Sequence, residues 1–268
     1  MHRISRAAIA VLLFALPAAA QSTTSTSTDD SFTWSGKMAN GAWLRVYDLN
    51  GSIRVERATG DVAEVTGEKD WHRGDPKDVR FVMVKDGDNV VICALWGDDS
   101  KCDARGAHMG RGHHDNGDNH NDVSVKFVVR LPKGVKIDLN TVNGGLDVNG
   151  AQSEVEASTV NGRIEIATTT GPVNAHTVNG SINVRMDALS GSDDLEFSTV
   201  NGSVSVAVPS DFAGELVMET VNGSLLTDFP LLITGKVNPR HIKATIGKGG
   251  RRVEMKTVNG SIELRKAS

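Results

Sequence analysis

Val155-Glu156-Ala157-Ser158-Thr159-Val160-Asn161-Gly162-Arg163-Ile164-Glu165-Ile166 holds the pattern that decides the architecture. Its centre, Thr-Val-Asn-Gly, occurs at Thr141, Thr159, Thr177, Thr199, Thr220 and Thr257, with spacings of 18, 18, 22, 21 and 37 residues. Repeats at such a period indicate a solenoid, a propeller or an array. The last spacing is about twice the others, which predicts a degenerate copy around Ile242-Lys243-Ala244-Thr245-Ile246-Gly247. Apolar residues stand four and two positions before each Thr and five and seven after it, as in Leu195, Phe197, Val204 and Val206. Period-2 alternation on both sides of Asn-Gly means two short strands per repeat. Leu44 to Val55 fits the same frame, with Asp48-Leu49 in place of Thr-Val, and is a seventh copy.

Two folds satisfy this pattern. Asn-Gly between alternating strands is a strong hairpin signal, so an antiparallel meander is one. The other is an all-β single-stranded parallel β-helix with about 18 to 22 residues per turn and an N-terminal β cap. Identity that extends to Thr and Val favours the coil, because a two-residue hairpin loop does not require it. Coiling predicts that Asn50, Asn143, Asn161, Asn179, Asn201, Asn222 and Asn259 form a structural ladder, each about 4.8 Å above the last. In this reading Val fills the inner corner and Gly takes a left-handed conformation. Asn149-Gly150, Gly171-Pro172, Gly191 and Gly214 mark a second corner. The end coils need covering, and residues 76 to 131 supply a hairpin and a further strand for it.

Outside the repeat, residues 1–20 read as a signal peptide. Arg3 and Arg6 precede the apolar run Ala7 to Leu16, and Ala18-Ala19-Ala20 offers cleavage before Gln21. The expected location is periplasmic or secreted, with no transmembrane segment in the mature chain. Residues 21–31, rich in Ser and Thr, read as a flexible linker. Residues 32–131 form the N-terminal β region with the first repeat copy, the hairpin and a Gly/His/Asp-rich loop at 97–122; residues 132–268 carry the repeats. In an oxidising compartment Cys93 and Cys102 can close a disulfide, the alternative being two free thiols.

The 268 residues carry 29 Lys+Arg against 33 Asp+Glu; without residues 1–20 the balance is 27 against 33, or −6. Mild acidity without clustered positive charge argues against nucleic acid as a partner. Only 4% of residues are aromatic, and all four tryptophans and Tyr47 precede residue 100, so the repeats must bury Val, Ile, Leu and Ala.

The succession of Leu131-Pro132-Lys133-Gly134, the Asn-Gly-Ser-Ile copies, and Ile246-Gly247-Lys248-Gly249-Gly250 before Val253-Glu254-Met255 resembles the toastrack domain, a domain-of-unknown-function family of putative adhesins with β-strand repeats. The resemblance runs from about Phe32 to the end. It implies a single-stranded β-helix exposed at the cell envelope, with adhesion or envelope-stress roles and no catalytic residues. The chain departs from the family in lacking membrane-spanning segments and in inserting a long polar loop.

That loop holds the metal candidates His108, His113, His114 and His120 beside Asp115, Asp118 and Asp122. Imidazole and carboxylate together suit Zn²⁺ or Cu²⁺, but no spacing here matches a named zinc site, and a solvated insertion is the plainer reading. Next to each Thr stand Asn140, Ser158, His176, Ser198, Glu219 and Lys256, with no recurring acid–base pair. Glu154 and Glu156 read as solvating charges. No cofactor fingerprint is present. The expectation is a non-enzymatic module that binds an unknown envelope or extracellular ligand, protein or glycan. The alternatives are a polysaccharide-active β-helix enzyme and an envelope-stress sensor that pairs with a partner by strand addition.

Overall fold

The structure, a computed structural model, describes residues 23–110, 121–233 and 238–267. Nearly all described secondary structure is strand, with one short 3-10 turn at Pro76–Asp78. The strands form two large sheets and a two-stranded hairpin. Segments that precede each Thr make the leading sheet, through Trp43–Tyr47, Lys136–Asn140, Val155–Ser158, Val173–His176 and Leu195–Ser198. Segments that follow each Gly make the trailing sheet, through Ile53–Arg57, Leu146–Ala151, Ile164–Thr168, Ile182–Met186 and Val204–Val208. Throughout the repeats neighbours are parallel and in register: Val155 opposes Ile137 and Val173, and Ile164 opposes Leu146 and Ile182. The result is a solenoid-like stack of layers, not an antiparallel meander.

Alternation explains the core. In each leading strand the apolar residues are buried and face the buried residues of the trailing strand, so both sheets share one continuous hydrophobic cluster. Thr continues the alternation and is buried, at 3–6% exposure in six copies. Its hydroxyl donates to the glycine carbonyl of the adjoining layer, as from Thr159 to Gly144 at 2.9 Å and from Thr177 to Gly162 at 3.0 Å. Val therefore points outward, and the expectation that it fills an inner corner is corrected: Val160, Val178, Val200, Val221 and Val258 are 38–50% exposed.

The glycine expectation is corrected too. Gly51 of the first layer has a positive φ of 139°, but Gly144, Gly162, Gly180, Gly202, Gly223 and Gly260 have none. What excludes a side chain is close approach: a Cβ on Gly162 would lie 1.9 Å from the Gly144 carbonyl oxygen. Left-handed glycines sit at the second corner instead, at Gly150, Gly171 and Gly191, but not at Gly214.

The seven asparagine side chains are joined by six amide-to-amide hydrogen bonds of 2.7–2.9 Å. Their order is Asn50, Asn143, Asn161, Asn179, Asn201, Asn259, Asn222. Asn259 precedes Asn222 because Arg252–Asn259 and Ile262–Lys266 insert between the Leu195–Val208 layer and the Gly214–Thr227 layer. The stretch expected to be a degenerate copy, His241–Ile246, is an antiparallel strand on the outside of Gly214–Asn222. It covers an edge and adds no layer, which is why the last spacing is double. Each interior amide donates once and accepts once along the column. Asn179→Ala removes both bonds and should lower unfolding free energy by about 1–2 kcal/mol, seen as a lower urea midpoint; an unchanged midpoint would contradict a stabilising ladder.

At the other end, Ser31–Lys37, Val62–Asp70 and Ser124–Leu131 continue the trailing sheet, with two antiparallel pairings before Ser124–Leu131 meets Ile53–Arg57 in parallel. The rings of Phe32, Phe81 and Phe127 close this end, with centroids 5.3 and 5.9 Å apart. Lys69 is buried beside them and donates from Nζ to the carbonyls of Thr28 and Pro76 at 2.8 and 2.7 Å. The Ser/Thr tract is not a tether along its length. Thr23–Ser27 is a strand, antiparallel to Val79–Asp86 at the edge of the leading sheet.

Candidate functional site

Period-2 alternation that buries Val155 and Ala157 turns Glu156 and Ser158 to the outer face of the leading sheet. Parallel register then lines these residues into rows. The row beside Thr runs Tyr47, Asn140, Ser158, His176, Ser198, Lys256, Glu219. The next row contains Arg45, Asp138, Glu156, Asn174, Glu196 and Glu254. Four carboxylates in one row are the feature that the sequence reading missed. Attention to the residues next to Thr passed over those two positions earlier, although the same alternation places both sets on one face.

The rows are tied together at one end. Asp138 Oδ2 lies 3.0 Å from the Tyr47 hydroxyl and 3.5 Å from Arg45 Nε, and its Oδ1 accepts from Asn140 Nδ2 at 2.6 Å. Burial pushes the Asp138 carboxyl above its ordinary range, against the pull of those donors. Glu156 is also raised, by burial first and then by the charges of Asp138 and Glu154. Burial, with the Asp138 charge, raises the Tyr47 hydroxyl, so it remains a donor. Further along, His176 Nδ1 is 2.8 Å from Ser198 Oγ, and the Asn174 side chain accepts from the Glu196 backbone at 2.9 Å. Lys256 and Arg252 both pair with Glu254 and hold it below its ordinary value. The face thus grades from a protonatable Asp138–Glu156 end to a charge-balanced end at Glu254. A shallow depression lies between, lined by Tyr47, Asp138, Glu156, His176, Asp194 and Glu196 among others.

The hairpin Lys101–Asp103 and Gly106–His108 lies against Tyr47 at the end of the row, where the Tyr47 hydroxyl is 3.3 Å from the Arg105 carbonyl. Cys93 and Cys102 are joined in a disulfide that pins this hairpin over an outward apolar cluster of Val82, Val84, Val91, Cys93 and Leu95. Gly106 packs so closely on Tyr47 that an added Cβ would lie 2.5 Å from the ring. The hairpin therefore fixes the aromatic end of the row.

The metal candidates do not assemble. His108 is exposed and pairs with Asp103 at 3.1 Å, while His113, His114 and His120, like Asp115 and Asp118, lie outside the described residues. Asp122 accepts from the backbone N–H groups of His72 and Arg73 and so anchors the chain. Among the described residues no group of three or more His, Cys, Asp or Glu is placed to hold a metal ion.

Residues 117–265, which hold all the Thr-Val-Asn-Gly copies, fit the family described as Toastrack DUF4097. The chain belongs to the Toastrack family. The match begins well before the Thr141 copy and leaves Thr23 to Gly110 outside, so Phe32, Phe81 and the disulfide hairpin lie beyond the Toastrack match, while Phe127 and its strand fall within it. Two solved structures are similar to this Toastrack chain. One, a putative cell adhesion protein from Clostridium sporogenes ATCC 15579, is 9% identical, with a TM-score of 0.41 and coverage of 88% of this chain and 100% of that one. The other, a putative adhesin from Parabacteroides merdae ATCC 43184, is 14% identical, with a TM-score of 0.26 and coverage of 88% and 96%. A search of curated proteins returns no match. Among the described residues no helix is long and apolar enough to cross a membrane.

Proposed function

We propose that this Toastrack chain is an exported, non-enzymatic binding module of the cell envelope, built on a single-stranded parallel β-helix of about 18 to 22 residues per turn. Export rests on the charged, apolar and small-residue order of residues 1–20, and the Cys93–Cys102 disulfide is at home in an oxidising compartment. The observation that carries binding is the in-register outer face from Tyr47 and Asp138 through Glu156 and His176 to Glu196. Each layer contributes a donor or acceptor, and the stack fixes their spacing, so little ordering is needed on contact. Shallow, open and acidic, the face suits an extended ligand with hydroxyl or cationic groups: a glycan or a basic protein segment.

Charge reversal tests this. Glu156→Lys combined with Glu196→Lys should weaken binding of the purified protein to isolated envelope glycans or envelope proteins at least about tenfold, a loss of about 1.4 kcal/mol. The wild-type affinity should also fall with added salt. Equal binding by a double variant whose urea midpoint is unchanged would refute the assignment of binding to this face. The carboxyls of Asp138 and Glu156, both raised first by burial, favour a second reading, an acid-catalysed polysaccharide-cleaving site, because a general acid needs a raised carboxyl. Glycan turnover lost in Asp138→Asn would establish that reading in place of the first.

A further inference from the structure

We infer that Asn222, the last asparagine of the ladder, is a site of spontaneous deamidation, and that the stack shields the other six. Every rung holds the same Asn-Gly pair, so local sequence gives all seven the same chemical liability. The reaction needs the glycine backbone nitrogen. It gives its proton to solvent and adds to the asparagine Cγ, so that an N–Cγ bond forms as the Cγ–Nδ2 bond breaks and ammonia leaves. Water then opens the five-membered imide at either carbonyl and yields aspartate or isoaspartate.

In six rungs that nitrogen is occupied. The N–H groups of Gly51, Gly144, Gly162, Gly180, Gly202 and Gly260 each donate to the asparagine carbonyl of the next layer, all at 3.0 Å. These six glycines are also partly shielded from solvent. Gly223 stands at the end of the column, where no further layer offers a carbonyl. Its N–H has no partner among the described residues, and it is the one exposed glycine of the seven. The register of the covering strand His241–Ile246 with Gly214–Asn222 ends at Glu219, and the last described hydrogen bond between them runs from Thr220 N–H to the Arg240 carbonyl at 3.0 Å, short of Gly223. At the opposite end, the Asn50 carbonyl accepts from Val125 at 2.7 Å and the Ser124–Leu131 strand lies against Gly51, so the column is closed there.

Deamidation of Asn222 also damages its neighbour. Asn222 Nδ2 donates to Asn259 Oδ1 at 2.9 Å; a carboxylate there sets acceptor against acceptor and loosens the outer layer. The Asn222 carbonyl is the acceptor that occupies Gly260 N–H, so Asn259 becomes the next pair to react.

The test is peptide mapping by mass spectrometry of the purified full chain during incubation at 37 °C and mildly alkaline pH, with a parallel sample unfolded in urea. In the folded chain Asn222 should convert at least about fivefold faster than Asn161, Asn179 and Asn201, the ratio set by one net backbone hydrogen bond. Asn259 should follow Asn222, and in urea the ladder sites should converge to similar rates. Interior sites that react as fast as Asn222 in the folded chain, or an Asn222 that stays intact while the urea sample is consumed, would overturn the inference.

Discussion

Gly144→Ala will collapse the stack, while Gly145→Ala, one residue on, will leave it standing. A Cβ on Gly144 would lie 1.7 Å from the Gly51 carbonyl oxygen and 2.5 Å from its carbon, both backbone atoms of the adjoining layer. Relief requires separating two parallel strands and breaking the Thr141 hydroxyl bond to the same oxygen, 3.2 Å long. The cost should exceed about 4 kcal/mol, at the extreme of single substitutions, and is expected as insoluble protein or a urea transition lost from the accessible range. Gly145 meets nothing closer than 3.5 Å. The other layers carry Ser52, Arg163, Ser181, Ser203, Ser224 and Ser261 at its place, so alanine there should be neutral or stabilise by up to about 1 kcal/mol through the unfolded chain. Similar midpoints for the two variants would show that interlayer contact is not what demands glycine.

The second large effect is pH-dependent. Asp48 occupies the buried Thr position of the first layer at 4% exposure. Its Oδ1 accepts from the Leu49 N–H at 2.8 Å, while Oδ2 has no partner among the described residues. Burial pushes this carboxyl up from 3.8 to about 8, and the backbone donors only partly oppose it. At neutral pH the folded chain thus keeps a proton that the unfolded chain has released. Asp48's contribution is most favourable below about pH 4, declines through the interval to pH 8, and is least favourable above that. Asp48→Asn copies the neutral carboxyl without titrating. It should be more stable than the wild type by on the order of 3 kcal/mol at pH 7 and by no less at pH 9, with little difference below pH 4. Denaturant midpoints across pH 4–9 measure this; parallel curves for the two proteins would refute it.

Much of the scaffold could be read from residues because in-register stacking demands the same side chain at the same place in every layer. An asparagine column cannot skip a rung, so identity at Asn143, Asn161 and Asn179 carried three-dimensional information. The outward direction of Val160 was available too: Val155, Ala157 and Thr159 are every second residue, and extending the alternation turns Val160 to solvent. The role of Gly162 was not, since a left-handed turn and a crowded interlayer contact select the same residue. Layer order escaped the sequence for another reason. The Thr257 copy has the same local signature whether it stacks on Thr199 or Thr220, and its place is set by the connection through His241–Ile246. The polar face was half visible. His176 stands beside the motif, but Glu156 reads from sequence as an ordinary solvating charge and Asp138 carries no signal of its own; burial and shared neighbours are what set the two apart.

The exchanged order of the last two layers bears on how the protein is made. A stack that grew in the order of synthesis could lay each turn on a finished one, from the amino end outward. Here the layer from Arg252 to Lys266 belongs beneath one synthesised about 37 residues sooner. While the ribosome is still working, the Leu195–Val208 surface has either nothing on it or the wrong occupant, the earlier Thr220 copy. Completion therefore waits for the Arg252–Lys266 segment to arrive and act as a keystone between two layers made before it.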